Sequence, residues 1–114
     1  MKDAPMFKID ERPQFTHTVT VRVPVDGGFD KQSMKVKYQL VSDKVTAEFD
    51  HRTLEGQKDF LNLAVVEISD LVDEKGQPMP FNDEVKDHII GLPYARRALQ
   101  KGYTDGIVPG LLGN

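Results

Sequence analysis

The sequence contains no cysteine and no tryptophan, and none of its apolar runs is long enough to cross a membrane. Without cysteine, disulfide bonds, thiolate catalysis and cysteine-ligated zinc are excluded. A membrane-spanning helix needs about 18 or more consecutive apolar residues, so we expect no membrane association. Residues 1–14 are charged and lack the apolar segment of a signal peptide, which predicts a protein of the cytoplasm.

Positive charge is also scarce, with 15 Lys and Arg residues against 18 Asp and Glu residues and a net charge of -3. Proteins that bind nucleic acids usually concentrate basic residues, because neutralising phosphates supplies much of their affinity. The basic residues of this chain are scattered, and we therefore expect no nucleic-acid partner. The length of 114 residues predicts a single domain, residues 1–114, with one modest core.

Catalytic and metal-binding patterns are lacking as well. Gly27-Gly28 stands in no phosphate-binding glycine motif, and no serine or threonine lies in a nucleophile elbow. The histidines, His17, His51 and His88, fall in three different predicted elements, whereas a metal site needs at least three converging ligands. The acidic residues around position 73 lack the spacing of a calcium loop and are interpreted as a solvated turn. The sequence thus predicts no catalytic, cofactor or metal site.

A strand pattern near the start is the clearest structural signal. Its apolar positions alternate with threonine and arginine, which is typical of a half-buried strand: they are Phe15, Val19, Val21, Val23 and Val25. A second alternating run covers residues 34–40, and residues 24–32 between the two runs carry turn-forming proline, aspartate and glycine. We predict an antiparallel hairpin with a long loop over 24–32. Residues 1–14 are predicted to be irregular or a short edge strand.

The rest of the chain is dominated by helix signals. Residues 42–50 fit either a third strand or a helix capped by Ser42, and their charged neighbours favour the helix. From Thr53 the apolar residues recur at helical spacing, which predicts a helix that ends near Ile68. An acidic turn at 73–76 follows, and two prolines keep the next residues extended.

Two further helices are predicted after this turn. Asn82 suits the N-cap of a short helix that Gly91 would end at its C′ position. Pro93 suits the first turn of the last helix. Residues 106–114, which are rich in glycine and proline, are predicted to be a flexible C-terminal tail. The predicted fold class is α+β, with an N-terminal antiparallel hairpin or small sheet followed by three to four short helices.

Two apolar helix faces are candidates for partner binding. Core packing is the usual role of such faces, but a small domain with several short helices could leave one exposed as a groove for a partner helix. Both interpretations stay open at the level of sequence. The residues concerned are Phe60, Leu61, Val65 and Ile68 on the first face and Tyr94, Leu99 and Tyr103 on the second.

The stretch from Val66 to Tyr103 resembles the tail assembly chaperones of long-tailed phages and prophages. In that family a helix leads into a run similar to W-x-G-V-x-D-x-x-G-x-P-x-P-F-S-x-E, and two helices follow. The matching residues here are Val72, Asp73, Gly76, Pro78, Pro80, Phe81, Glu84, Tyr94, Ala98, Leu99 and Tyr103, with Phe60-Leu61 preceding them. The sequence departs from the pattern at Ile68, which replaces the tryptophan, and at Asp70, which replaces the following glycine.

The resemblance implies a non-enzymatic role in phage tail morphogenesis. Such proteins are thought to bind the tape-measure protein, prevent its apolar stretches from aggregating and help recruit tail-tube subunits. It also implies a location in the host bacterial cytoplasm, absence from the mature virion and, in many members, a frameshifted C-terminal extension. Residues 112–114 can be encoded by a slippery heptanucleotide, which the gene sequence would show.

Three alternatives remain beside this expectation. The chain could be a minor virion or head–tail connector subunit that stays in the particle. It could be a small enzyme or metal protein, which would require its histidines to meet carboxylates in space. A homo-oligomer is a further arrangement compatible with the sequence.

Overall fold

The computed structural model describes residues 5–108, which form a three-stranded antiparallel sheet and four helices. The strands lie in the order β1-β2-β3. This is the predicted α+β class, with the hairpin first and the helices after it. The elements are β1 (Gln14–Val25), β2 (Gly28–Gln39), α1 (Asp43–Thr46), α2 (Leu54–Ala64), β3 (Val65–Ser69), α3 (Asp83–Ile90) and α4 (Pro93–Ile107).

The hairpin is tighter than the sequence pattern predicts. β1 and β2 pair from Gln14–Gln39 up to Val25–Gly28, so only Asp26 and Gly27 connect them. Gly27 has a φ of 79°, the left-handed conformation that tight turns require and that glycine adopts without steric cost. The predicted loop over 24–32 is therefore wrong. The start of β2 shows no apolar alternation because this end of the hairpin projects beyond the core and exposes both faces.

The helix predicted to end near Ile68 in fact ends at Ala64, and β3 follows directly. β3 pairs with β2, and its register shifts between Lys37 and Tyr38, so that Val66 is left without a partner. Because of this bulge, Val65 and Ile68 both face the core although they are three residues apart. A strand spacing of three imitates the spacing of a helix face, which explains the wrong prediction. The β-branched side chains favour the strand.

The helix caps follow the sequence prediction closely. The Ser42 side chain accepts a hydrogen bond from Val45 N at 3.3 Å, and Asn82 Oδ1 accepts one from Val85 N at 2.8 Å. The helical interpretation of the segment after Ser42 is thus confirmed, although α1 has only four residues. Gly91 caps α3 with a φ of −74°, so it ends the helix without the left-handed conformation for which glycine was expected.

The C-terminal end of the described chain corrects one further prediction, and the N-terminal end follows the irregular alternative of another. Pro93 opens α4 as expected, but the helix continues to Ile107, so Gly106 and Ile107 belong to a helix and not to a tail. Residues 5–13 contain no strand, and Phe7 and Ile9 are exposed. The predictions for residues 1–4 and 109–114 lie outside the described residues. Within the described part of the chain, no helix is long and apolar enough to span a membrane.

The core lies between one face of the sheet and the helices α2, α3 and α4. Tyr38 is central to it, because its ring contacts those of Phe15 and Tyr103 at centroid distances of 5.3 and 5.7 Å. The most deeply buried large side chains are Val36, Tyr38, Leu61, Val65, Ile68, Ile90 and Leu99. The sheet and α4 thus pack against each other as two layers that share one core.

Candidate binding groove

Two hydrogen bonds fix α4 against the sheet. The Tyr38 hydroxyl donates to the carbonyl of Leu99 at 2.8 Å, and Val41 N donates to the Tyr103 hydroxyl at 3.0 Å. Both bonds are buried and join residues more than 60 positions apart in sequence. A buried donor or acceptor is costly to leave without a partner. The two bonds therefore fix the position of the helix along its axis as well as its distance from the sheet.

Glycine at position 102 lets α4 approach the sheet closely. A Cβ atom at this position would lie 2.6 Å from Val19 Cγ2 and 2.6 Å from the Tyr38 hydroxyl oxygen. At Gly106 a Cβ would overlap the ring of Phe15. The two glycines lie four residues apart, and together they allow the end of the helix to pack directly on β1.

A groove of about 1020 Å³ lies beside this contact, between β1 and α4. Tyr94 and Ala98 form part of the helical wall, and the hairpin supplies the other wall. The complete lining is His17, Thr18, Val19, Thr20, Arg22 and Pro24 of β1, Phe29 and Lys31 of β2, and Pro93, Tyr94, Arg97, Ala98, Lys101, Gly102 and Asp105 of α4.

The groove runs along the free edge of the sheet. Successive side chains of a strand point to opposite faces, yet four consecutive residues, 17–20, all line the groove. A surface that touches all four must follow the edge of the strand. β1 is an edge strand, and among the described residues no strand pairs with its outer side. The groove therefore borders backbone groups that have no partner in the sheet.

Basic side chains dominate the charge of the groove. Arg22, Lys31, Arg97 and Lys101 line it, against the single carboxylate of Asp105. Lys101 donates to Asp105 Oδ2 at 2.6 Å, one helical turn away, which neutralises one of the four cations. The remaining charge is positive although the whole chain carries a net charge of -3. Anionic groups are thus the ligands that the groove favours.

The shifted pKa values indicate structural roles. Burial raises the pKa of the Tyr38 hydroxyl well above its usual range, and the negative charge of Asp105 adds to the effect, so the hydroxyl stays protonated and donates to Leu99. Desolvation lowers the pKa of Lys86, whose Nζ donates to the Asn62 carbonyl at 2.7 Å and ties α3 to the end of α2.

The carboxyl group of Asp50 is the third group with a shifted pKa. Hydrogen bonds from the Arg52 side chain and backbone lower its pKa, and both residues are exposed in the connection before α2. None of these three groups is paired with a nucleophile or a second catalytic group in the hydrogen bonds of the described residues. Their shifts are explained by packing and local hydrogen bonds.

Most of the predicted partner-binding residues lie in the core. The two apolar faces are accounted for by core packing, one of the two interpretations that the sequence left open. Only Tyr94 is partly exposed, and it lines the groove. The six buried residues are Phe60, Leu61, Val65, Ile68, Leu99 and Tyr103. In this structure they offer no free surface to a partner. Val65 and Ile68, which were predicted on a helix face, lie in β3 of the sheet.

The histidines do not converge. His17 lines the groove, and His51 packs against Phe60 with its Nε2 2.9 Å from the Thr46 carbonyl. His88 is exposed in the last turn of α3. Among residues 5–108 no group of three or more histidines and carboxylates is close enough to hold a metal ion. A smaller acidic depression of about 240 Å³ near Asp50 and Asp59 likewise shows no ligand cluster in the described chain.

Sequence reasoning missed the residues that give the groove its charge. Arg97 and Lys101 lie four residues apart and so share one face of a helix, which the sequence does show. Their position opposite Arg22 depends on the packing of α4 across β1, and no local pattern encodes it. Comparison of the chain with protein-family models, with curated proteins and with solved structures found no match.

Proposed function

We propose that the protein is a non-enzymatic phage tail assembly chaperone, which binds the tape-measure protein and helps recruit tail-tube subunits in the host cytoplasm. The observation that carries the proposal is the backbone of Asp70, which has a φ of 62°. Left-handed backbone favours glycine, and Asp70 stands where the resembling family has a glycine. A left-handed backbone at this position is compatible with the glycine of the family pattern, which supports the proposal.

The rest of the matching segment is a folded turn, which also supports the proposal. Asp73 Oδ1 accepts hydrogen bonds from Lys75 N at 2.8 Å and Gln77 N at 2.9 Å, and Gly76 has a φ of 80°. Val72 and Pro78 form an isolated antiparallel bridge across this turn. Each shared motif residue here has a conformational reason, so the motif describes a local structure and not a composition.

Ile68, the second departure, lies in β3 with 1% of its surface exposed. A side chain buried to this extent packs the core and cannot contact a partner directly. Ile68 therefore packs the core of this chain, and the proposed partner surface lies elsewhere. The proposed partner surface is the groove between β1 and α4, which Tyr94 of α4 and the exposed Phe29 of β2 both line.

Co-expression with the tape-measure protein encoded beside this gene tests the proposal. The tape-measure protein is expected to be mostly insoluble alone, and its soluble fraction should rise several-fold when this chain is present, because a bound chaperone covers its apolar stretches. The two proteins should also elute together in size-exclusion chromatography. The Tyr94→Ser variant removes the aromatic ring of the helical wall of the groove and is expected to lower the soluble fraction of the tape-measure protein.

Mass spectrometry of purified particles separates the chaperone from the alternative, a minor virion or connector subunit. A chaperone is absent from the particle, whereas a structural subunit is present in a fixed ratio to the tail-tube protein. No change in the solubility of the tape-measure protein, or a stoichiometric signal in the particle, would contradict the proposal.

A further inference from the structure

We infer that the groove binds an extended acidic polypeptide segment, which pairs with β1 as a fourth strand of the sheet. The inference depends only on the groove and goes beyond the tail-assembly role. It applies whichever protein carries the segment.

The backbone of β1 supplies the first argument. In an antiparallel pair, alternate residues direct both backbone groups towards the partner strand, and the residues between them direct both groups away. Pro24 has no N–H group that could donate to β2. It therefore belongs to the residues whose backbone groups point away from β2, which is the usual position of proline in an edge strand. Thr18, Thr20 and Arg22 belong to the same set because they are separated from Pro24 by even numbers of residues.

A partner strand can form hydrogen bonds with these outward-pointing backbone groups of β1, whereas a helix cannot. The backbone groups of a helix are already paired within the helix, whereas an extended segment can donate to and accept from the edge of a sheet. The threonines along the outer face of β1 are β-branched and small, so they suit cross-strand pairs with β-branched residues. Pro24 lacks an N–H group and so ends the edge along which an added strand can pair.

The opposite wall of the groove supplies the charge argument. Among residues 5–108, neither Arg22 nor Arg97 has a carboxylate within ion-pair distance, and both are exposed. They come from the two walls, β1 and α4, so a segment lying between them would meet positive charge on both sides. Acidic side chains in that segment would pair with both arginines, which commits the occupant to an acidic sequence.

Protection of the edge is the other role that Arg22 and Pro24 could have. Charged residues and proline on edge strands hinder unwanted pairing between molecules. That role needs nothing from α4, yet Arg97 and Lys101 border the same edge from the helix. The basic helical wall therefore favours recognition of a specific segment over simple protection.

Binding of labelled peptides to the full chain tests the inference. The probe is a fluorescein-labelled octapeptide of repeated Glu-Glu-Val-Val, which places glutamates on both faces of a strand. Its binding is followed by fluorescence anisotropy. Its controls are the same peptide with lysine for glutamate, and the glutamate peptide methylated at alternate backbone nitrogens. We expect the glutamate peptide to bind, the lysine peptide to bind at least tenfold more weakly, and N-methylation on the strand-pairing side to weaken binding at least tenfold.

The site of binding is read from amide hydrogen exchange by NMR. The amides of Thr18, Thr20 and Arg22 should exchange more slowly with the peptide bound, while Val19 and Val21, whose amides face β2, should change little. Charge reversal by Arg22→Glu with Arg97→Glu should weaken binding about tenfold. The matched control, Lys44→Glu with Lys75→Glu, makes the same change in net charge outside the groove and should leave affinity within about twofold.

Failure of the glutamate peptide to bind would overturn the inference, as would equal binding of the lysine peptide or indifference to N-methylation. Protection confined to amides outside β1 would also overturn it, and so would tighter binding of a single-stranded oligonucleotide in the same groove. Circular dichroism checks the folding of the charge-reversal variant. The methylated peptide and the exchange map decide the question even if that variant does not fold. These results are independent of the co-expression experiment, so either proposal can fail alone.

Discussion

Gly102 determines how closely the last helix approaches the sheet. The helix has other glycine and alanine positions, but at 102 a Cβ would meet both Val19 and the hydroxyl of Tyr38. The same hydroxyl donates to the carbonyl of Leu99, so a shift of the helix would strain a buried hydrogen bond. The groove wall thus depends on one residue that has no side chain.

Replacing this glycine should therefore destabilise the protein. Gly102→Ala gains about 1 kcal/mol of helix propensity, but its Cβ would meet two atoms at 2.6 Å, so we expect overpacking in the upper part of the usual range, about 2–3 kcal/mol. The net loss in the free energy of unfolding measured in urea should then be about 1–2 kcal/mol. Gly28→Ala is the control, because a Cβ there meets no atom within 4 Å, and its effect should stay within about 0.5 kcal/mol. Equal effects of the two substitutions would show that the helix lies farther from the sheet.

The buried hydroxyl of Tyr38 predicts a loss of stability at alkaline pH. Its pKa is raised in the folded state, so its contribution to stability is complete below the unfolded value of about 10 and is lost as the pH rises above it. The free energy of unfolding should fall by about 1.4 kcal/mol per pH unit in this range through Tyr38 alone. Urea unfolding at pH 8 and at pH 11 measures the fall.

The Tyr38→Phe variant provides the comparison for this pH dependence. It keeps the ring in the core and loses the hydrogen bond to Leu99, so it should be about 1 kcal/mol less stable at pH 8. Its stability should fall less between pH 8 and pH 11 than that of the wild type. A fall of the same size in both proteins would assign the alkaline sensitivity to other groups.

At the scale of elements, the helix α2 and the strand β3 show why part of the fold could be predicted and part could not. The N-cap residues Ser42 and Asn82 act through neighbours in sequence, and both caps form as expected. The change from helix to strand at Val65 depends on pairing with β2, which lies about 30 residues earlier. Residues 54–68 keep one apolar spacing across that change, so the local pattern does not reveal it.

The candidate groove was predictable only in its separate parts. The alternation of β1 and the outward basic residues of α4 are both visible in the sequence. Their meeting depends on Gly102 and Gly106, which admit Val19 and Phe15 to the surface of α4. Non-local packing of this kind leaves no periodic signal. The predicted binding residues Leu99 and Tyr103 instead became the buried side of the same helix.

The turn after β3 yields a prediction that tests its left-handed backbone. An alanine in the left-handed region is strained by its Cβ, so Asp70→Ala should be about 1 kcal/mol less stable than Asp70→Gly. Glu67 in β3 is the control, since its backbone has no positive φ and glycine should there be less stable than alanine. Urea unfolding of the four variants gives the comparison. The same order at both positions would contradict the backbone assigned to Asp70.

At the scale of the whole molecule, the hairpin makes the protein elongated. Its principal extents are 50 × 37 × 28 Å, and its radius of gyration of 15.8 Å exceeds the value of about 13 Å expected for a compact chain of 100 residues. The distal part of the hairpin exposes Val25 and Phe29 and extends the groove beyond the core. A basic edge of this length on an acidic molecule directs an acidic partner to one surface.

The central claim is that the groove between β1 and α4 is the surface that binds a partner. Amide hydrogen exchange of the chain alone and in its complex with the co-expressed tape-measure protein tests this claim most directly. Exchange should slow most at the β1 amides that point away from β2, which are those of Thr18, Thr20 and Arg22, and the slowing should extend to the α4 wall of the groove. The largest slowing in α2 or α3, or no slowing in the two walls of the groove, would contradict it.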